Sequence, residues 1–233
     1  VGTLSAWDLP KEREGFAMLL DTTLREGEQL YGAYFSPKVK KRLLLGVAAL
    51  GVEEIELAAS QEEFGMLLDT AARHQLTTPL LAWCPCRGGD VEQALARGAR
   101  RVHVGIPVSD GHLRTRLGLS RCESLKRMAQ VVTQARQKGA EFVSVGLEDC
   151  SRAETSHLFR AAREAQSAGA DRIRLADTVG LYTPLQVAEV LAGIRSVVQV
   201  QIGVHCHNDL GMATANAVTA LSSGADIADA SLL

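Results

Sequence analysis

Short apolar stretches rich in β-branched residues alternate along the chain with longer segments whose apolar positions recur at helical spacing. One helix is predicted from Pro37 to Leu50, because Ser36 can cap its start and Gly51 can end it. A second is predicted over Pro184–Arg195. The pattern also predicts eight strands, over Ala17–Thr22, Val52–Leu57, Leu80–Cys84, Arg101–Ile106, Glu141–Val145, Arg172–Leu175, Val200–His205 and Asp226–Leu232.

Four of these strands follow one local signal, in which a helical segment ends at a glycine and an alanine precedes the strand. The glycines are Gly98, Gly139, Gly169 and Gly224. Alternating strands and helices produce a parallel sheet with right-handed crossovers. Eight units favour a closed α/β TIM barrel, (β/α)₈, over a six-stranded doubly wound sheet, and no G-x-G-x-x-G follows a predicted strand. We therefore expect a TIM-barrel catalytic domain over residues 17–233, after a leader over residues 1–16.

Composition narrows the possible classes of protein. The chain has 233 residues, of which 46% are hydrophobic and 22% charged, and its formal net charge is −2. With no block of like charge, binding to nucleic acid or to a membrane surface through net charge is not expected. No apolar run approaches the roughly 18 residues that span a bilayer. Five cysteines without a framework spacing indicate reduced thiols, and we expect a cytoplasmic protein.

Candidate chemistry lies at the carboxyl ends of the strands, where TIM barrels place their reactive groups. His205 and His207 are two residues apart at the end of a predicted strand, so their imidazoles face the same side. Two nitrogens and one carboxylate leave open the coordination positions that a catalytic divalent cation requires. Glu26, which follows the first strand, is the best-placed carboxylate. The alternative is that the two histidines are a hydrogen-bonded pair lining the barrel.

Two motifs carry a resemblance to a known family. DTTLREGEQ at 21–29 and GVHCHNDLGMATAN at 203–216 resemble the metal-dependent acyltransferase and lyase barrels, which include homocitrate synthase, 2-isopropylmalate synthase and 3-hydroxy-3-methylglutaryl-CoA lyase. The segments IPVSD, VSVGLEDCSRA and RLADTVGLYTP agree with this, so the resemblance covers the chain from Met18 onward. Trp83-Cys84 on the third strand is similar to homocitrate synthase of the nitrogen-fixation type.

The resemblance implies roles for eight residues, each of which matches a functional position of the family. They are the metal ligands Glu26, His205 and His207; Arg25, which would hold a 2-oxo acid and stabilise the developing alkoxide; Thr178, which would bind the substrate carboxylate; Gln29 and Glu56, polar groups around metal and substrate; and Glu148, which would assist proton removal from an acetyl group.

Three of these residues have a structural alternative. Arg25 could form an ion pair with Glu56 or Asp21, Thr178 could cap the following turn, and Glu148 could pair with Arg152. Asp21 is expected to orient Arg25 or a histidine rather than bind metal. His103 and His112, which have no obvious partner in the sequence, are expected to be structural or solvated.

The implied reaction is condensation of acetyl-CoA with a 2-oxo acid, first of all 2-oxoglutarate to homocitrate, with Mg²⁺, Mn²⁺ or Zn²⁺ as cofactor and a homodimer as the intact protein. The alternatives are 2-isopropylmalate or citramalate synthesis, a lyase reaction, and a non-catalytic barrel that binds metal and oxo acid with a partner chain. The family pattern continues past the eighth strand with a G-E-R-x-G-N segment and a helical region. Because the sequence ends at Leu233, we expect a barrel cut short there.

Overall fold

The strands form a closed ring. A computed structural model describes residues 18–59 and 62–232, so the predicted leader over residues 1–16, together with residues 17 and 233, lies outside the described residues. All eight strands are parallel and pair in sequence order, and β8 closes the ring by pairing with β1, with Met18 opposite Ile227. The predicted (β/α)₈ TIM barrel is confirmed. The strands are β1 Met18–Asp21, β2 Glu54–Ala58, β3 Leu80–Pro85, β4 Arg101–Pro107, β5 Phe142–Glu148, β6 Arg172–Asp177, β7 Gln201–Cys206 and β8 Ile227–Ala230.

Helices lie between successive strands and cover the outside of the ring. Both bounds were predicted for two of them, and the structure confirms these ranges within one residue. The helices are α1 Pro37–Ala49, α2 Phe64–Arg73, α3 Gly88–Ala96, α4 Asp110–His112, α5 Arg121–Gln137, α6 Thr155–Ser167, α7 Pro184–Arg195 and α8 Ala213–Ser222. After α4 the chain continues as one wide helical turn over Leu113–Leu117, which the sequence pattern did not predict.

Glycine ends four of these helices where the sequence predicted it. Gly98, Gly139, Gly169 and Gly224 have φ angles of +100°, +92°, +107° and +105°, in the region that side chains other than glycine rarely adopt. Each reverses the chain at the end of a helix and directs it into the next strand. This signal was the strongest local evidence for the alternating order of helices and strands.

The barrel interior differs chemically from the layer outside it. The main apolar core lies between strands and helices and includes Leu57, Val104 and Ile173. The lumen holds buried charged groups that face one another across the ring. Among the described helices, none is both long and apolar enough to cross a membrane. All five cysteines are free, as expected for reduced thiols.

Candidate active site at the carboxyl end of the barrel

Three predicted metal ligands converge at one point on the rim. His205 lies near the end of β7, His207 follows that strand, and Glu26 is in the loop after β1. The two Nε2 atoms are 3.2 Å apart, and each lies 3.9 Å from an oxygen of Glu26. One atom from each side chain fits within a span of 4.8 Å. Two nitrogens that share one ion at roughly 2.0–2.1 Å are about 3.3 Å apart, so this donor set fits a divalent cation.

A carboxylate orients the imidazole of His205 from the side of the ring that faces away from Glu26 and His207. Its Nδ1 lies 2.7 Å from Oδ2 of Asp229, a residue of β8. A carboxylate accepting a hydrogen bond from Nδ1 leaves the lone pair on Nε2, the atom that faces Glu26 and His207. At His207, burial and then the neighbouring His205 lower the imidazole pKa, which favours the neutral form that binds metals.

Arg25 is held beside this triad by three neighbours. Its Nε donates a hydrogen bond to Oε1 of Glu56 at 2.6 Å, and its Nη1 is paired with Glu26. Its guanidinium carbon also lies 5.4 Å from the centre of the Trp83 ring, a cation–π contact. The predicted ion pair with Glu56 is present and leaves Arg25 facing the site, so the structural role and the substrate role are compatible.

Two cavities meet at the triad. The first, of about 190 Å³, contains every predicted site residue except Glu56 in its wall: Arg25, Glu26, Gln29, Glu148, Thr178, His205 and His207. The second, of about 530 Å³, opens on the side of β1 and β8 and shares Glu26, Gln29 and both histidines with the first. Two spaces that join at one cluster of ligands suit a reaction between two substrates.

Comparison with protein families identifies this barrel. A model of the family described as HMGL-like matches residues 17–233. The chain belongs to the HMGL-like family.

Three curated proteins similar to the HMGL-like chain are synthases. It is 39% identical to 2-phosphonomethylmalate synthase of Streptomyces rubellomurinus, over 89% of this chain and 56% of the relative. It is 38% identical to homocitrate synthase AksA of Methanopyrus kandleri, over 94% and 54%. It is 35% identical to 2-isopropylmalate synthase 2 of Caldanaerobacter subterraneus subsp. tengcongensis, over 89% and 54%. The chain therefore spans about half the length of the curated relatives it matches.

Solved structures agree on the fold. Hydroxymethylglutaryl-CoA lyase from Pseudomonas aeruginosa superimposes with a TM-score of 0.78 at 23% identity, covering 92% of this chain and 76% of the lyase. The corresponding lyase from Brucella melitensis has a TM-score of 0.80 at 20% identity, covering 92% and 80%. At these identities the likeness to the two lyases shows the shared barrel fold alone.

Glu56 lies below the first cavity instead of in its wall. Its side chain is fully buried between Arg25 and Nη1 of Arg174, which is 2.6 Å from its Oε2. Burial alone would raise the pKa of this carboxyl, but the guanidinium groups of Arg174 and Arg25 together hold the pKa well below its usual range. In this HMGL-like barrel Glu56 is thus an anion that positions Arg25.

Two contacts differ from the structural alternatives considered above. Glu148 pairs with Arg116, whose Nη1 is 3.3 Å from its Oε2, while Arg152 pairs with Asp149. The hydroxyl oxygen of Thr178 accepts a hydrogen bond from the Asp149 backbone N–H at 2.9 Å, so Thr178 anchors the end of β5 instead of capping its own turn.

One further expectation was wrong. Asp21 accepts hydrogen bonds from the backbone N–H and hydroxyl of Thr23 and orients neither Arg25 nor a histidine, because the tight turn after β1 uses both of its oxygens. His103 is structural, which is one of the two outcomes expected for it: it is buried, its Nδ1 lies 2.9 Å from the Ser144 hydroxyl, and its ring lines the first cavity.

Sequence reasoning also missed Arg116, Arg174 and Asp229, which lie in or below the site. A usable signal existed for Arg174, because Arg172 and Arg174 alternate with apolar residues on β6 and must share one face of the strand. In a TIM barrel the face opposite the helices is the lumen, and two arginines there indicate buried anionic partners.

Proposed function

We propose that this barrel catalyses a Claisen condensation in which the acetyl group of acetyl-CoA adds to the keto carbon of 2-oxoglutarate, giving homocitrate and CoA. The observation that carries the proposal is the meeting of Glu26, His205 and His207 with Arg25 and Glu148 around one cavity. The three curated relatives, which are synthases of two substituted malates and of homocitrate, support the same class of reaction.

Three residues would hold the cofactor. A divalent cation (Mg²⁺, Mn²⁺ or Zn²⁺) bound by Glu26, His205 and His207 would polarise the keto group of the oxo acid. Arg25 faces the same space, and its guanidinium stabilises the negative charge that develops on the keto oxygen as the new carbon–carbon bond forms. Because Glu56 and Trp83 hold the Arg25 guanidinium in place, Arg25 need not move during the reaction.

Glu148 supplies the base. Its carboxylate lies at the end of β5 in the wall of the cavity, where it can accept a proton from the methyl group of acetyl-CoA. The carbanion then adds to the keto carbon, whose carbon–oxygen π bond breaks, and the resulting alkoxide takes the proton back from Glu148. Water cleaves the thioester and releases CoA as the thiol, a new carboxylate and one proton. The Thr178 hydroxyl, which already accepts from Asp149, can donate its hydrogen to a substrate carboxylate.

The charge of the cavity wall favours a substrate with a second anionic group. Arg116 stands in the wall beside Glu148 and is half exposed, so a distal carboxylate could bind its guanidinium. An aliphatic tail, as in 2-oxoisovalerate, would bring apolar atoms against Arg116 and His103 without satisfying either. This supports 2-oxoglutarate over branched-chain oxo acids and pyruvate.

Calorimetric titration tests the substrate and the metal together. 2-Oxoglutarate, 2-oxoisovalerate and pyruvate are titrated into the protein with and without Mn²⁺. We expect 2-oxoglutarate to bind most tightly and only with Mn²⁺, and His205→Ala to abolish this binding. Mn²⁺-dependent binding of 2-oxoisovalerate in preference to 2-oxoglutarate would overturn the substrate assignment. Binding that is equal with and without Mn²⁺ would overturn the metal site.

A variant of Arg116 tests the distal subsite independently of the rest of the cavity. Arg116→Leu removes a hydrogen bond to a charged group, so we expect the affinity for 2-oxoglutarate to fall about 10- to 100-fold. Pyruvate, which has no distal carboxylate, should bind the variant as it binds the wild type. Arg114→Leu is the matched control, because Arg114 lines a groove outside the cavity. Equal losses for both acids would contradict a distal subsite at Arg116.

A further inference from the structure

A line of alternating charges crosses the barrel at the base of the two cavities, where Arg174 borders the first cavity and Asp229 the second. Arg25 donates to Glu56 at 2.6 Å, and the other oxygen of Glu56 lies 2.6 Å from Nη1 of Arg174. The same Nη1 is 3.0 Å from Oδ2 of Asp229, which in turn is 2.7 Å from Nδ1 of His205. One end of the line is the arginine that faces the oxo acid, and the other is a metal ligand.

The three central members are sealed from solvent. The side chains of Glu56, Arg174 and Asp229 are 0%, 2% and 3% exposed. They come from β2, β6 and β8, so the line joins parts of the ring that are far apart in sequence. Where water is excluded, charges interact strongly, and the position of one depends on its partners.

We propose that Arg174 is a positioning residue that sets the metal side and the oxo-acid side of the site together. The identification of a metal side and an oxo-acid side rests on the proposed function, whereas the contacts along the line are independent of it. Arg174 is the only member that contacts both carboxylates, because its Nη1 lies within 3.0 Å of Glu56 and of Asp229. It thereby holds Asp229 against His205 while holding Glu56 against Arg25.

The effect on the metal ligand follows from the charge of Asp229. As an anion, Asp229 accepts from Nδ1–H of His205, which keeps Nε2 free to bind an ion and fixes the plane of the ring. Without Arg174, the Asp229 and Glu56 carboxylates would be two buried like charges sharing one space, and their repulsion would turn them away from each other. Movement of Asp229 loosens the orientation of His205.

The strand that carries Arg174 also carries a matched control. Arg172, two residues earlier on β6, is equally buried, and its Nη1 lies 2.6 Å from Oε2 of Glu54, two residues before Glu56 on β2. This lower pair has the same chemistry, strand partners and burial, but it has no contact with Asp229 or His205 among those the structure describes. Arg172→Met therefore reproduces the loss of a buried arginine without the proposed effect on the metal ligand.

Mn²⁺ affinity, measured by calorimetry without oxo acid, tests the proposal. We expect Arg174→Met and Asp229→Asn each to weaken Mn²⁺ binding about 10- to 100-fold, as loss of a residue that orients a metal ligand does. The double variant should be no weaker than Asp229→Asn alone, because Arg174 acts through Asp229. Arg172→Met should bind Mn²⁺ as the wild type does. Arg174→Lys, which keeps the charge, should fall between wild type and Arg174→Met.

Several results would overturn the proposal. It fails if Arg174→Met binds Mn²⁺ normally, if Arg172→Met weakens binding equally, or if the losses of Arg174→Met and Asp229→Asn multiply fully. If Arg174→Met does not fold, normal affinity in both Arg174→Lys and Asp229→Asn has the same meaning. A wild-type protein that binds no Mn²⁺ overturns the proposed function itself, whereas normal wild-type binding with an unaffected Arg174→Met overturns only this inference.

Discussion

Glu148 combines two features of a general base: its carboxylate is in the cavity wall, and one oxygen pairs with a cation that leaves the other free. Glu148→Gln keeps the shape but cannot accept a proton, so oxo-acid binding should persist while proton removal slows roughly 10²- to 10⁴-fold. Exchange of the acetyl-CoA methyl protons with D₂O, followed by NMR, measures this step. Glu141→Gln, an exposed change near the other end of β5, is the control. Normal exchange in Glu148→Gln would exclude it as the base.

At this scale the sequence was informative where a motif combines spacing with position. The i, i+2 spacing of His205 and His207 predicted that both imidazoles would face one side, and the structure places them 3.2 Å apart. The sequence was uninformative where a role depends on a partner from another strand. The sequence around Asp229 does not show that this residue contacts His205. The contact depends on the register between β7 and β8, which is a property of the closed ring.

Helix α7 shows how one element is fixed at its start. The Thr183 hydroxyl accepts from the backbone N–H of Gln186, the Gln186 side chain accepts from the Thr183 backbone N–H, and Pro184 occupies the first turn. Thr183→Ala removes the cap, so we expect the free energy of unfolding to fall by about 1 kcal/mol. Denaturant unfolding measures this. Ser167→Ala, at the exposed end of α6, should change it by less than about 0.5 kcal/mol, and an equal loss there would refute the capping argument.

Elements with strong end signals were predicted most accurately. Helices α1 and α7 match their predicted ranges within one residue, because proline and cap residues mark their starts. The eighth strand is shorter than predicted, Ile227–Ala230 against Asp226–Leu232, because its pairing with β1 reaches no further than Ala230. The turn over Leu113–Leu117 was not predicted, because no apolar periodicity in the sequence marks it.

The folded barrel buries His103 in its neutral form near cationic side chains. Burial and then Arg174 lower the pKa of His103 well below its usual range. The unfolded chain therefore binds a proton near pH 6.5 that the folded protein does not, so stability is lost as pH falls below 6.5. Each such group contributes up to about 1.4 kcal/mol per pH unit.

His103→Gln removes this contribution. We expect the free energy of unfolding of the variant to depend less steeply on pH between 6.5 and 5 than that of the wild type, as measured by urea unfolding across a pH series. Above pH 7.5 the two slopes should coincide, which serves as the internal control. Parallel curves throughout the acid range would show that His103 is not buried in its neutral form.

The overall architecture was the most predictable property. Eight alternating units and their glycine stops suffice for a barrel, because such units close into few arrangements. The chemistry of the lumen was less predictable, since the partner of a buried charge comes from the opposite wall. Glu54 looked like an ordinary strand residue, and Glu56 was expected only as a polar group around metal and substrate, until β6 placed Arg172 and Arg174 opposite them.

Those two stacked pairs have a consequence for how the ring assembles. β2 and β6 lie four strands apart in a ring of eight, so they face each other across the lumen, and each contributes two charges at alternate positions. A slip of either strand by one residue would turn both of its charges outward into the apolar layer. Apolar residues alone would tolerate such an error more readily. These charges can therefore pair only when β2 and β6 are in the correct register, so the two pairs favour the correct closure of the barrel.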